Sequence, residues 1–303
     1  MPPWYIAEMT SPRPPKRRGQ FIAPATPSPA KTSAWSHVAD WYDQLVGDEG
    51  SEYQREIIFP NVLRLLQPQP ADRILDIACG QGAFCRLLHE RGLPHVTGID
   101  AAPPLIRAAC DRSQTSPPTP RQSESSIPGA SAASGSAIQY HTGDARDLKK
   151  IPDASFTAIT CILAIQDIDP IQPVFDSVAR CLTSGGGGGR FIIAMMHPCF
   201  RAPKTSSWGW QDHDIQFRRI DGYLIPRKHP IITHPGLDKT RHTWTYHRPL
   251  QTYIKALAKA GFLIDALEEY PSHKKSQPGP RAKAENSARQ EIPMFLALRA
   301  VKR

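Results

Sequence analysis

Ile74-Leu75-Asp76-Ile77-Ala78-Cys79-Gly80-Gln81-Gly82 carries an apolar run, with one acid inside it, into a turn built on two glycines. The residues after it, Ala83–Arg91, put Phe84, Leu87 and Leu88 on one helical face, so the unit reads as strand, turn and helix. Gly80 and Gly82 lack a Cβ, which lets the backbone bend sharply and approach a ligand closely. The start of the helix adds free N–H groups and positive potential, suited to the carboxylate of a bound amino acid.

Working outward, Arg73–Ile77, His95–Ile99, Ile138–His141, Phe156–Ile162 and Arg190–Met196 read as buried strands. Helical patterns alternate with them at Ala83–Arg91, Pro104–Arg112 and Ile171–Leu182. Alternation of this kind predicts an α/β fold, a mostly parallel sheet with helices on both faces. Near the end the order changes. Leu250–Ala260 reads as a helix closed by Gly261, and Phe262–Tyr270 and Met294–Val301 then follow as two strands with a loop between them. That pattern predicts an antiparallel pair. Upstream, Ser36–Val46 and Glu52–Leu66 are amphipathic helical segments that would pack beside the sheet.

Three stretches lack either period. Residues 1–34 are rich in Pro, Ser, Thr and basic residues and read as a disordered arm before a domain over 35–303. Residues 113–136 read as a low-complexity surface insertion, and residues 272–291 as a loop of similar character with more charge. Arg201 to Arg248 is too long for an ordinary connection and reads as a substrate cap. Its aromatics and histidines, Trp208, Trp210, Tyr223, His229, His234, His242, Trp244 and Tyr246, would bind a planar acidic metabolite, stack on nucleotides, or form the small core of the cap itself.

The chain has 303 residues and 31 prolines, so part of its length is not core. No apolar run reaches the roughly 18–20 residues that span a bilayer, and the start lacks the apolar stretch of a secretory signal; the reading is a cytoplasmic protein without membrane partners. Six scattered cysteines with no C-x-x-C spacing fit reduced thiols. The net charge of +9 is uneven, because 19 Lys and Arg against 9 Asp and Glu lie from Arg201 onward. A basic half fits a nucleic acid, an acidic substrate or a solvated surface.

Acids mark the ends of the strands. Asp100 closes the second, twenty residues after Gly80, where a carboxylate can accept both ribose hydroxyls of a nucleotide-like ligand. A dinucleotide site would use a similar turn and a similar acid, yet its fingerprint needs a third glycine where Cys85 stands. The third strand ends in Gly143-Asp144-Ala145, an acceptor for an exocyclic adenine amine beside a small residue. The fourth ends in Ile162-Leu163-Ala164-Ile165-Gln166-Asp167, apolar first and polar last. Four strand ends converge on one crevice, the place where open α/β sheets bind ligands.

Together these motifs resemble the class I S-adenosylmethionine-dependent methyltransferases, over roughly Trp41 to Met196 plus the terminal strand pair. The resemblance implies a Rossmann-like seven-stranded sheet with an antiparallel last strand, and S-adenosyl-L-methionine as cofactor. It implies that Asp76, Ala78, Gly80 and Gly82 border the methionine moiety, Asp100 the ribose, and Asp144 with Ala145 the adenine. Ile162 would wall the site and Tyr42, in the pair Trp41-Tyr42, would close over it. Thr157 departs from the family, in which many members carry Asp after the Phe that opens the fourth strand. His197-Pro198-Cys199-Phe200 and His247-Arg248-Pro249-Leu250 are similar to segments of a group of uncharacterised bacterial members.

Methyl transfer needs alignment of two reactants and, for a hydroxyl or protonated amine, a general base. His197, after the fifth strand, is the first candidate, His247 the second, and Asp167 could orient the acceptor or take its proton. Cys199 is a weaker candidate nucleophile. Only Asp167 and Asp169 stand where a catalytic metal would need several carboxylates, so no metal is assigned. The reading favours a small-molecule acceptor methylated on O or N. RNA methylation through the basic C-terminal portion, and a cofactor-binding regulator without catalysis, are the alternatives. No oligomeric state follows from the pattern.

Overall fold

The computed structural model describes residues 33–115, 137–184, 188–212, 214–234 and 238–302. The expected arm over residues 1–34 lies outside these except for its last two residues, and so does the insertion over 113–136 except for its first three. Ser33 caps a short 3-10 turn, Ala34–His37, by accepting the Trp35 N–H at 3.3 Å.

Five strands come first: β1 (Arg73–Ile77), β2 (His95–Asp100), β3 (Gln139–Thr142), β4 (Ala158–Ile162) and β5 (Arg190–Met196). Two hairpins follow, β6 (Ser206–Gln211) with β7 (Ile215–Ile220) and β8 (Arg227–His234) with β9 (Asp238–His247). The chain then returns as β10 (Phe262–Tyr270) and β11 (Phe295–Lys302). Outside the hairpins, seven strands form one sheet in the order β10-β11-β5-β4-β1-β2-β3. β11 runs antiparallel to both of its neighbours, and the other pairings are parallel. The order reverses direction at β1, between β4 and β2, and this switch point opens the crevice at the strand ends.

Helices cover both faces: α1 (Ala39–Val46), α2 (Phe59–Leu66), α3 (Ala83–Glu90), α4 (Pro103–Thr115), α5 (Gln172–Cys181), α6 (Leu250–Lys259) and α7 (Ala282–Glu291). Alternation along β1 sends Leu75 and Ile77 to one face and Ile74 to the other. Leu75, Ile159, Phe191 and Leu298 pack against Phe175 of α5 and Leu257 of α6. On the opposite face Ile74, Ala158, Ile192 and Ala297 pack against Leu66 of α2 and Leu88 of α3. Burial on both faces is why these strands read as unbroken apolar runs. Truncating a fully buried side chain such as Phe175 to Ala costs about 3–5 kcal/mol.

Thr157 works at the opposite end of the sheet from the crevice. Its hydroxyl donates to Asp72 at 2.7 Å and accepts the Arg73 N–H at 3.0 Å. Asp72 in turn pairs with Arg190. The departure from the family pattern therefore falls on a strand-start clamp.

Two expectations need correction. The segment over 272–291 is not a loop throughout, since its second half forms α7. Ala282-Lys-Ala-Glu-Asn-Ser-Ala-Arg-Gln-Glu291 is rich in strong helix formers but has almost no apolar stripe, so propensity makes the helix where periodicity gives no sign of it. Consequently β10 and β11 are joined through a helix, although their antiparallel pairing stands. The cap region, read as aperiodic, consists of the two hairpins. Along β7 the apolar side chains Ile215 and Phe217 point outward, which erases the usual inward pattern. α7 packs against β7, with Arg281 over the Trp210 ring at 4.9 Å.

Candidate active site

Between β1 and α3 the backbone takes three left-handed conformations, at Ala78 (φ +54°), Gly80 (φ +58°) and Gly82 (φ +82°). At Gly80 a Cβ would stand 3.0 Å from the Tyr42 ring, and at Gly82 it would stand 2.5 Å from the Tyr140 hydroxyl. Glycine suits the left-handed backbone at both positions, and at Gly82 a side chain would also collide with Tyr140. Ala78 holds the same region at a cost of about 1–2 kcal/mol. Asp100 fastens the turn to β2. One of its oxygens accepts the Gly80 N–H at 2.9 Å and the other the Ala102 N–H at 2.8 Å. Each oxygen keeps a further lone pair for a ligand. From beneath, the buried Arg86 donates to the Gln81 carbonyl and side chain and to the Asp48 carbonyl, at 2.6, 2.7 and 2.6 Å.

Asp76 is buried under the turn, 2% exposed. It accepts the Thr160 hydroxyl at 2.6 Å and a long contact from the Cys85 thiol at 3.8 Å. Burial pushes its carboxyl up to about 7, against the opposing pull of those two hydrogen bonds. Tyr42 leans on Gly80 and meets Trp35 edge-on at 5.5 Å. Its phenol is pushed up by burial, then by the charges of Asp100, Asp76, Cys79 and Asp167. A small cleft beside this ring is lined by Tyr42, Gln54, Asp76, Ala78, Gln81 and Ile162, among others. Gln54 begins a π-helical turn, Gln54–Ile58, that leads into α2.

At the outer edge Asp144 is half-exposed and pairs with Arg146 at 2.6 Å. Partial burial pulls its carboxyl upward, but the hydrogen bonds and charge of Arg146 outweigh this and hold it below the usual range. Ala145 beside it is buried. Arg146 also donates to the Asp169 carbonyl at 2.7 Å, joining the end of β3 to the loop after β4.

The three candidate bases differ in what is left free. His197 is 3% exposed, its Nδ1 accepts the Cys199 and Phe200 N–H groups at 3.2 and 3.3 Å, and its Nε2 meets Glu269 at 2.6 Å. Both ring nitrogens are occupied, and burial, the strongest influence on the ring, lowers its pKa. His247 is buried and donates from Nε2 to the Tyr223 carbonyl at 2.7 Å, which ties the second hairpin to its own base. Asp167 is different. Its Oδ1 is shut off from solvent and has no hydrogen-bond partner, as are the neighbouring Oε1 of Gln166 and Nη1 of Arg248. Burial pushes the Asp167 carboxyl up to about 7, with Thr245, Gln166 and Arg248 opposing. The Cys199 thiol is pushed up by burial and by Glu269, which disfavours the thiolate a nucleophile needs.

The glycine turn between β1 and α3, with Asp76 beneath it and Asp100 fastened to it, suits a ligand that brings an amino acid and a ribose. Residues 75–188 match the family model described as a methyltransferase domain. This chain carries a methyltransferase domain. The methyltransferase is similar to a solved S-adenosylmethionine-dependent methyltransferase from Mesorhizobium loti, at 27% identity and a TM-score of 0.57 over 80% of this chain and 96% of that one. It is 25% identical to an uncharacterised protein of Haemophilus influenzae over 69% of this chain and 74% of that relative. It is also 29% identical to a ubiquinone biosynthesis O-methyltransferase of Xylella fastidiosa, over 39% of this chain and 41% of that enzyme. Its fold is the Rossmann-like one. Among the described residues no helix is long and apolar enough to cross a membrane.

Sequence reasoning missed several members of this site. Thr160 carried a signal, being a hydroxyl within the apolar run Ala158–Ile162 and in register with Asp76. Arg86 and Tyr140 carried none, because their roles depend on how the turn folds back.

Proposed function

We propose that this methyltransferase moves a methyl group to an oxygen or nitrogen of a small-molecule acceptor seated between the end of β4 and the two hairpins. Asp100 would receive the ribose hydroxyls, Asp76 and the turn at Ala78, Gly80 and Gly82 the methionine moiety, and Asp144 with Ala145 the adenine. Ile162 would wall the ring, with Tyr42 closing over it. When bound, S-adenosylmethionine supplies an activated methyl carbon on a sulfonium. The protein's part would be to orient the acceptor and exclude water, and Asp167 would take the acceptor's proton at Oδ1.

The observation that carries this reading is the Asp167 oxygen without a partner. A buried acceptor atom left unsatisfied costs about 1–3 kcal/mol, and a donor from the substrate would remove that cost. The similarity to a ubiquinone biosynthesis O-methyltransferase, over 39% of this chain, supports an oxygen acceptor on a small molecule. We assign His197 and His247 to bracing the loop after β5 and the second hairpin, not to proton transfer.

Calorimetry with S-adenosylmethionine and its demethylated product tests the cofactor half of the proposal, and labelled methyl transfer into a fractionated metabolite extract tests the rest. Incorporation into a small organic fraction, lost in Asp167→Asn with cofactor affinity retained, is the expected result. Incorporation only into RNA, or undiminished turnover in Asp167→Asn, would overturn it.

A further inference from the structure

Five residues past the end of β5, Arg201 lays its guanidinium over Trp208, 5.6 Å from the ring centroid. Arg218 of β7 stacks on the same indole at 5.0 Å. Arg218 is held there by the Phe200 carbonyl at 2.8 Å and the Ser206 hydroxyl at 2.7 Å. Arg201 has no such anchor: its Nε is cut off from solvent without an acceptor. Burial disfavours the charge of Arg201, and the positive charges of Arg218 and Arg289 add to this. Acids on the neighbouring elements are occupied elsewhere, Glu269 by His197 and Glu285 by Ser276 and Arg289.

Two guanidiniums on one ring repel each other, and cation–π attraction of about 0.5–2 kcal/mol each only partly compensates. Desolvating an arginine without an anion is costly. A fold that offsets neither penalty internally is complete when an anion arrives. The position suits the acceptor. The cluster follows β5 at the crevice end of the sheet, where the Arg201 N–H donates to the His197 carbonyl at 2.8 Å.

We propose that the acceptor is anionic, and that Arg201, backed by Arg218, binds its carboxylate or phosphate while Trp208 lies against an unsaturated part of it. This rests on the acceptor reading given above and names the substrate class for it. The arrangement binds a planar acid through the fork of Arg201 and the face of the indole, as guanidinium and aromatic groups do elsewhere.

The test uses the full chain saturated with S-adenosylhomocysteine, titrated with benzoate, with phenyl phosphate and with neutral benzyl alcohol. The expected result is that one or both anions bind and benzyl alcohol does not. Arg201→Gln should weaken the anion by about ten- to a hundredfold, the worth of one charged hydrogen bond. Arg201→Lys should recover part of the loss, and S-adenosylhomocysteine affinity should stay unchanged in both variants. If Arg201→Gln also loses S-adenosylhomocysteine, Arg218→Gln replaces it under the same criterion. Equal binding of benzyl alcohol, or undiminished anion binding in the variants, overturns the proposal. Tight binding of a single-stranded oligonucleotide, falling with a salt slope of several charges and not displaced by phenyl phosphate, also overturns it. Failure of the wild-type chain to bind S-adenosylhomocysteine would instead refute the cofactor reading, and the anion titration on the free protein would still decide this one.

Discussion

Replacing Asp76 by Asn gives the most quantitative handle on this site. The carboxyl titrates at about 7 in the native protein, against a usual value of 3.8, because burial disfavours its charge. Between those two values the native state holds a proton that the unfolded chain has lost, so stability falls as pH rises through this window and levels off above 7. At about 1.36 kcal/mol per unit, the deficit is about 2 kcal/mol at pH 5 and about 4 kcal/mol at pH 8. The amide side chain of the Asp76→Asn variant keeps an oxygen to accept the Thr160 hydroxyl and cannot ionise. Its packing penalty is the same at both pH values and cancels in the comparison. Urea denaturation of the ligand-free protein at pH 5 and pH 8 should therefore show Asp76→Asn gaining about 2–3 kcal/mol on wild type between the two. Cofactor affinity should move the other way, because the ammonium of an amino acid favours the ionised Asp76 that the variant lacks. A difference between variant and wild type that is constant with pH would refute the reasoning, since it would mean that Asp76 is already ionised at pH 5.

Three further outcomes follow from the same geometry. With Asp167 as base, the rate of methyl transfer should rise with pH to a plateau above about 7, and Asp167→Asn should lower it about 10²–10⁴-fold and abolish that limb; a limb that survives in the variant belongs to another group. His197→Ala should destabilise the protein by about 2–3 kcal/mol, since it strands the N–H groups of Cys199 and Phe200. Turnover of the folded fraction should stay within a few-fold, and a hundredfold loss at unchanged stability would restore the histidine to the chemistry. Gly82→Ala should cost about 1–3 kcal/mol through its φ of +82° and its approach to Tyr140, and Tyr140→Phe should relieve part of that in a double-mutant cycle by denaturation.

Much of the cofactor half was legible because its constraints are local. A buried strand, two glycines and an acid at the next strand end lie within 27 residues, Ile74 to Asp100, and each demands the same backbone. The region of the two hairpins was not. Ile215 and Phe217 alternate with Gln216 and Arg218 along β7 but face outward, and indoles stand beside guanidiniums, so the short alternation does not mark a buried strand. His197 looked like a base by position alone. Its ring faces into its own turn, which only the path of Pro198-Cys199-Phe200 reveals. α7 escaped notice because its helix formers are polar, and Asp167 was visible as a residue but not as an orphan.

The contact of α7 with β7, reinforced by Arg281 on Trp210, joins the first hairpin to the segment between β10 and β11, at the rim of the sheet away from β1 and β2. If the hairpins cover the acceptor as proposed above, drift in the carboxy-terminal third would retune what is methylated while the turn at Gly80 and Gly82 keeps its shape. A lineage exploring new acceptors would be free to vary there first, and swapping the 201–291 stretch between relatives becomes a practical route to altered selectivity.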